Sequence, residues 1–249
     1  MNFIGIIPAR YASTRFPGKP LADIAGKPMI QRVYEQASKA LRNVFVATDD
    51  KRIYDAVIAF GGKVIMTSEH HQSGTDRCME AAEKALNEMN LEFDVVINIQ
   101  GDEPFVNPEQ IEQLKSCFII EESQIATLIK KFKPEENIQN PNSPKVIINN
   151  NNEAIYFSRS VIPFIRNKEA KEWQTTHTFF KHIGLYAYRF DVLKEITALP
   201  QSTLELAESL EQLRWIENSY RIKTRETKTE SIAIDTPEDL DKLIDAGLI

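Results

Sequence analysis

The sequence predicts an α/β protein with a mainly parallel central sheet flanked by helices. Three observations carry this. Short apolar runs, at 3–7, 44–48, 64–66 and 94–98, recur through the first half of the chain. Segments of helical periodicity separate them, and a strand–helix–strand order favours parallel pairing. The runs are almost continuously apolar rather than alternating, as strands covered on both faces require.

Taken in order, the strand 3–7 is stopped by Pro8. Residues 28–41 keep helical spacing through Met29, Val33, Gln36 and Ala40, with Pro28 suited to a first turn. A helix at 53–60 closes on Gly61-Gly62, and another spans 75–89. Asn107 as N-cap and Pro108 at the first position start a helix that runs to Phe118. After Ile129 the pattern changes, and the polar, proline-bearing stretch 131–143 leaves the core. Residues 145–148 and 154–158 read as a hairpin around four asparagines, which tolerate positive φ and favour turns. The segment to Thr178 is irregular. Then come a strand at 183–188, a helix at 204–218 and short strands at 222–227 and 231–234. Thr236 caps the last helix, with Pro237 in its first turn and Glu238 and Asp239 beside the dipole. The reading is one domain, 1–249, with a smaller lobe at about 130–190.

With 249 residues, 42% of them hydrophobic, the chain can bury a core without disulfides or structural metals. A net charge of −6 disfavours nucleic acid as a partner, which wants a basic face. Cys78 and Cys117 are too few for a disulfide framework or a cysteine zinc site, and read as buried small apolar residues. The first apolar run ends at Pro8, too short for a signal peptide or a membrane span, so the expected setting is cytoplasmic, with no membrane partner.

Against that acidic balance, the loop after the first strand carries Arg10, Arg15 and Lys19, and no Asp or Glu occurs before Asp23. Three uncompensated cations at the C-terminal end of a strand repel one another unless an anion joins them, and ligands bind at that edge of α/β sheets. The loop reads either as a pocket for a polyphosphate or as a solvated basic loop. The loop lacks the G-x-x-x-x-G-K-[ST] and G-x-G-x-x-G patterns, which argues against a P-loop NTPase and a dinucleotide enzyme.

Gln100-Gly101-Asp102-Glu103-Pro104 follows the strand 94–98. It sets a carboxylate at the same sheet edge, with Gly101 permitting close backbone approach. Mg²⁺ bridging phosphates needs such a hard oxygen ligand, and the other reading of Asp102 is a turn residue capping the next element. Asp235, in Ser231-Ile232-Ala233-Ile234-Asp235-Thr236-Pro237, reads either as a second metal carboxylate or as a turn residue before the helix. Ser73 and Thr75, in His71-Gln72-Ser73-Gly74-Thr75-Asp76-Arg77, read as helix caps. Arg214 reads as one half of a structural ion pair.

Pro8-Ala9-Arg10, Ser13-Thr14-Arg15 and Pro17-Gly18-Lys19-Pro20-Leu21 closely resemble the signature loop of the 3-deoxy-manno-octulosonate (Kdo) cytidylyltransferase, or CMP-Kdo synthetase, family. The resemblance continues over nearly the whole chain. It implies a nucleotide-diphospho-sugar transferase-like, Rossmann-like fold whose lobe serves dimerisation and the acceptor. The implied activity joins CTP and Kdo into CMP-Kdo and pyrophosphate, for lipopolysaccharide biosynthesis, in a homodimer that uses Mg²⁺. Ala9, Arg10, Ser13 and Lys19 would then contact the nucleotide, and Gln72, Ser73, Gly74 and Thr75 would lie against its base. Asp102 and Asp235 would hold the metal; with Arg10 and Lys19 they form the expected catalytic set. Arg15, Gln100, Arg159, His182, Tyr186, Glu211 and Gln212 would bind the sugar acid, through the segments Tyr156-Phe157-Ser158-Arg159, Lys181-His182-Ile183-Gly184-Leu185-Tyr186 and Leu210-Glu211-Gln212-Leu213-Arg214. The hairpin, with Val146, Ile148 and Ile155 exposed, would form the dimer contact. The chain departs from the family at Ser143-Pro144 and in the asparagine tract, where a glycine-type turn is expected. The alternatives are an enzyme activating an 8-amino analogue or a sialic acid, a glycosyltransferase that consumes a nucleotide sugar, and a non-catalytic nucleotide-binding module.

Overall fold

A computed structural model of the chain describes residues 1–12, 16–119, 122–230, 233–234 and 236–245. The chain divides into two compact units. One comprises Met1–Glu112, Tyr188–Thr197 and Ser231–Ile249, and the other Gln113–Ala187 and Ala198–Glu230. The lobe anticipated at about 130–190 falls mainly in the second unit, which also takes in residues from 113 onward and 198–230.

The first unit opens with β1 (Phe3–Ala9), followed by the short pair β2 (Asp23–Ile24) and β3 (Lys27–Pro28). Their turn needs positive φ at Ala25 and Gly26, 47° and 80°, and Asp23 Oδ1 accepts from the Gly26 amide. Then follow α1 (Met29–Ala37), β4 (Val44–Thr48), α2 (Lys51–Ala59) and β5 (Val64–Met66). The stretch ends with α3 (Gly74–Met89), β6 (Val95–Asn98) and α4 (Pro108–Ser116). Within this unit the strands lie in the order β6-β1-β4-β5, every pair parallel. Every residue of β4 and β6 is buried, which is why both strands read as continuous apolar runs. Pro28 sits at the N-cap of α1 rather than inside it, and the helix ends at Ala37, giving way to turns before Leu41. Asn107 caps α4 as expected, its Oδ1 accepting from the Glu109 amide at 2.9 Å.

The second unit contains β7 (Ile125–Lys131), β8 (Lys145–Ile148), β9 (Ala154–Ser158), α5 (Trp173–Thr176) and most of β10 (Phe180–Arg189). After α6 (Phe190–Thr197), a first-unit helix, it continues with α7 (Thr203–Glu208), α8 (Gln212–Glu217) and β11 (Ile222–Glu226). The chain closes in the first unit with α9 (Pro237–Asp245). β7 and β11 are parallel, whereas β8 is antiparallel to both β9 and β10.

The sequence reading omitted β7 and α6. The helix expected at 204–218 is two helices, broken where Ser209 takes a left-handed φ of 51°. The strand expected at 231–234 falls partly outside the described residues, and Ala233 and Ile234 are not in a strand. The hairpin forms, with Asn149 Oδ1 accepting from the Asn151 and Glu153 amides and Asn152 at φ 55°. Its tip is tied down, because the Thr224 amide donates to the Asn152 carbonyl at 2.7 Å. One expectation is corrected here. Val146 is buried at 3% exposure between paired strands, and of the three apolar residues expected on the surface Ile155 is the one that is clearly exposed, at 52%.

Candidate active site

Because β1, β4 and β6 are parallel, their C-terminal ends share one edge, and the loops leaving them converge there. In the first unit the loops leaving β1 and β6, with the segment before α3 and the start of that helix, line a cavity of about 290 Å³. Ala9, Arg10 and Lys19 enter from the β1 side, Gln72, Ser73 and Gly74 from the N-terminus of α3, and Gln100, Gly101 and Asp102 from the end of β6. Arg10, Lys19 and Asp102, all expected at this edge, therefore line one cavity. Gly101 has to be glycine, since a Cβ there would lie 2.8 Å from the Pro8 carbonyl oxygen.

Lys19 follows Gly18, which takes a φ of 72° that suits glycine. Its Nζ donates to Asp102 Oδ2 at 2.8 Å, and both side chains are largely shielded. The two charges assigned by sequence to phosphate and to metal thus neutralise each other here. Arg10 is exposed at the rim. Ser13 and Arg15 lie outside the described residues, as does Asp235.

Ser73 has the capping role as well as a place in the cavity wall. Its Oγ accepts from the Asp76 amide, and Asp76 Oδ2 accepts from the Ser73 amide, closing a capping box. Gly74 begins the 16-residue α3, so the positive end of its dipole faces the cavity. Thr75 is buried, at 3% exposure.

His71 and Arg77 also line the cavity, and Arg77 had no role assigned from the sequence. His71 Nε2 pairs with Glu80, which also receives Lys84 and the Ser68 amide. Burial pushes the Glu80 carboxyl up, but the hydrogen bonds from Lys84, Ser68 and His71 outweigh it and bring its pKa down to about 2. Arg77 is 4% exposed, donating to Thr67 Oγ1 at 2.6 Å and pairing with Asp49 at 3.3 Å. The signal was an arginine among the buried positions Thr75, Cys78, Ala81 and Ala82 of an amphipathic helix.

For a metal, Asp102 provides the hard oxygen that Mg²⁺ takes. No group of three or more His, Cys, Asp or Glu side chains that could hold a metal occurs among the described residues.

The other residues assigned to the sugar acid belong to the second unit. The Arg159 guanidinium donates to the carbonyls of Glu208 (2.6 Å), Pro141 (2.9 Å) and Ser209 (3.2 Å). His182 Nε2 lies 3.1 Å from Thr127 Oγ1, and its ring meets Phe157 and Tyr186 edgewise or tilted. Burial lowers its pKa to about 3, so the imidazole is neutral. Burial likewise raises the Tyr186 phenol, with Glu211 adding to the shift. Gln212 is 5% exposed, and its Nε2 has no hydrogen-bond partner among the described residues. Glu211 stands at the N-cap of α8. Arg214 forms the expected ion pair, a buried two-bond contact to Glu205 at 2.8 and 2.5 Å.

Comparison with known proteins decides the family. The cytidylyltransferase family model matches residues 4–228. The 3-deoxy-manno-octulosonate cytidylyltransferase of Parabacteroides distasonis is 64% identical over 248 residues, covering 98% of this chain and 97% of its own. The chain belongs to the 3-deoxy-manno-octulosonate cytidylyltransferase family. The family member of Bacteroides thetaiotaomicron is 61% identical over 243 residues, with 96% of each chain covered. A solved CMP:2-keto-3-deoxy-manno-octonic acid synthetase complexed with CTP superposes with a TM-score of 0.90 at 43% identity, over 100% of both chains. The α/β fold with its mainly parallel sheet is therefore the family's own. A 4-diphosphocytidyl-2C-methyl-D-erythritol synthase from Anaerococcus prevotii, at 13% identity and a TM-score of 0.61, shares the fold alone. No helix among the described residues is long and apolar enough to cross a membrane.

Proposed function

We propose that this protein transfers the cytidylyl group of CTP to Kdo, giving CMP-Kdo and pyrophosphate. The observation that carries the reading is end-to-end membership of the family in a chain whose Arg10, Lys19 and Asp102 line one cavity at the sheet edge. A glycosyltransferase also uses a strand-end aspartate and Mg²⁺ but has no departing pyrophosphate for this cationic loop to hold, and a binding module without catalysis needs no metal-type carboxylate. CMP-Kdo would feed lipopolysaccharide assembly, and the use of CTP supports a cytoplasmic site of action.

In the reaction the anomeric hydroxyl oxygen of Kdo bonds to the α-phosphorus of CTP. The bond from that phosphorus to the bridging oxygen breaks, pyrophosphate departs, and the hydroxyl proton is released. Positioning and charge neutralisation supply most of the catalysis, and no covalent enzyme intermediate is required. Arg10 and Lys19 hold the triphosphate and take up charge on the departing pyrophosphate. The start of α3, from Gln72 to Thr75, faces the cytosine with backbone and small side chains. Asp102 and Asp235 would hold Mg²⁺, which when bound supplies charge neutralisation at phosphorus and acidifies the attacking hydroxyl. Arg15, Gln100, Arg159, His182, Tyr186, Glu211 and Gln212 orient the sugar acid. The buried, unpartnered Nε2 of Gln212 supports a ligand contact, since burying such a donor is costly without an acceptor.

The active form is a homodimer through the β8–β9 hairpin. Support comes from the exposure of Ile155 and from β9 having β8 as its sole ladder partner among the described strands. Light scattering at micromolar concentration should give twice the chain mass. The function itself is tested by pyrophosphate release from CTP with Kdo, its 8-amino analogue and a sialic acid. Kdo should be turned over fastest, and inactivity with Kdo beside activity with another acid would reassign the acceptor.

A further inference from the structure

Lys145 has no part in the reading above, yet it is the most unusual side chain of the second unit. It is 0% exposed, and lysine is almost never fully buried unless paired. Its hydrogen bonds go to no carboxylate. Nζ donates to the carbonyls of Arg159 (2.7 Å), Asn140 (2.9 Å) and Ser143 (3.1 Å), which matches the three donors an ammonium has. Those carbonyls come from the loop before β8 and from the residue after β9. Arg159 returns the connection, since its guanidinium donates to Pro141 in the same loop and to Glu208 and Ser209 at the end of α7. Glu208 closes the cluster by accepting from Ser158 Oγ at 2.6 Å and from the Arg159 amide at 2.9 Å.

The cluster therefore holds two cations against one carboxylate. Burial and the nearby Arg159 weigh against the Lys145 charge, and Glu208 favours it. A chain needing only to fill this space would place an apolar side chain of similar length, because an ammonium taken out of water is expensive to bury. What the ammonium adds is a fixed backbone around Arg159 and a standing positive field.

We infer that Lys145 is a positioning residue for the sugar acid: it fixes Arg159 through the Asn140, Ser143 and Arg159 carbonyls and leaves the cluster with the positive charge that an anionic acceptor requires. The inference rests on the acceptor assignment proposed above, and its test separates the two. Steady-state kinetics of full-length Lys145→Met should show a KM for Kdo raised about tenfold or more, the scale of a lost charge-assisted contact, with KM for CTP within about twofold of wild type. A purely structural lysine would lower the folded fraction, and so kcat, without moving the acceptor KM selectively. Glu208→Gln keeps an amide oxygen for the Arg159 amide while removing the opposing charge. It should lower the Kdo KM at low salt, and it carries the test if Lys145→Met does not fold. Acceptor KM values unchanged in the folded variants, with wild type active on Kdo, would overturn this inference alone. Wild type inactive on Kdo would overturn the acceptor reading and this inference with it.

Discussion

Ile234 donates its backbone N–H to the carbonyl of Asp102 at 3.0 Å. The Ile234 side chain is fully buried with Ile24, Met29 and Leu243, so this contact is anchored by the core of the first unit. The residue directly before Asp235 is thereby fixed to the backbone of the other proposed metal carboxylate. Two segments far apart in sequence thus meet at the backbone of Asp102.

Lys19→Ala removes the cation that pairs with Asp102. If that ammonium stabilises departing pyrophosphate, turnover should fall by about 10²-fold or more at saturating CTP, the scale for a lost electrostatic stabiliser. Lys19 lies in a short turn at the cavity and not in a strand, so far-UV circular dichroism should be unchanged. Near-normal turnover would reduce Lys19 to a partner of Asp102 with no part in the chemistry.

Glu80 gives a pH signature. Its folded pKa of about 2 lies below the ordinary 4.5, so the carboxylate stabilises the fold at neutral pH. That contribution is complete above the unfolded value and is lost as the pH falls from about 4.5 towards 2. Glu80→Gln should be less stable than wild type at pH 7, and the gap should close across that window in urea unfolding. A gap of constant size would show that the carboxylate charge is not the stabilising feature.

Arg214→Met leaves the Glu205 carboxylate buried without its cation, and removing one partner of such a pair costs about 3–5 kcal/mol. Because the lone charge carries that cost, the double variant with Glu205→Gln should be more stable than Arg214→Met alone. Chemical denaturation of wild type, the two single variants and the double variant checks this. Additive losses would mean that the two residues do not act as a pair.

The parallel core was legible because strands buried on both faces leave continuous apolar runs, as at Val44–Thr48 and Val95–Asn98. β7 was missed because its apolar run ends in Lys130 and Lys131, which looked like the start of a polar excursion. Helix α6 follows β10 without an intervening turn, so no punctuation announced it. The break at Ser209 could not be read, because serine seldom adopts left-handed φ. In the site, residue types announced the chemistry, but pairings between distant segments did not. Lys19 with Asp102 and Ile234 with Asp102 depend on how the sheet edge assembles. The surroundings of His182, expected to bind the sugar acid, were not legible either. Thr127 lies within hydrogen-bond distance, while Phe157 and Tyr186 make the surroundings largely aromatic.

The most direct test of the two-carboxylate mechanism is the turnover of Asp235→Asn at limiting Mg²⁺, measured beside its thermal unfolding. Asparagine keeps the cap and hydrogen bonds that a turn residue needs and loses the negative charge that holds a metal. The account predicts normal unfolding, turnover lower by orders of magnitude and partial rescue by high Mg²⁺ or Mn²⁺. Asp102→Asn should behave alike, and the double variant should be little worse than either single one, because the pair acts as a unit. A well-folded Asp235→Asn enzyme with wild-type turnover at limiting Mg²⁺ would contradict the mechanism.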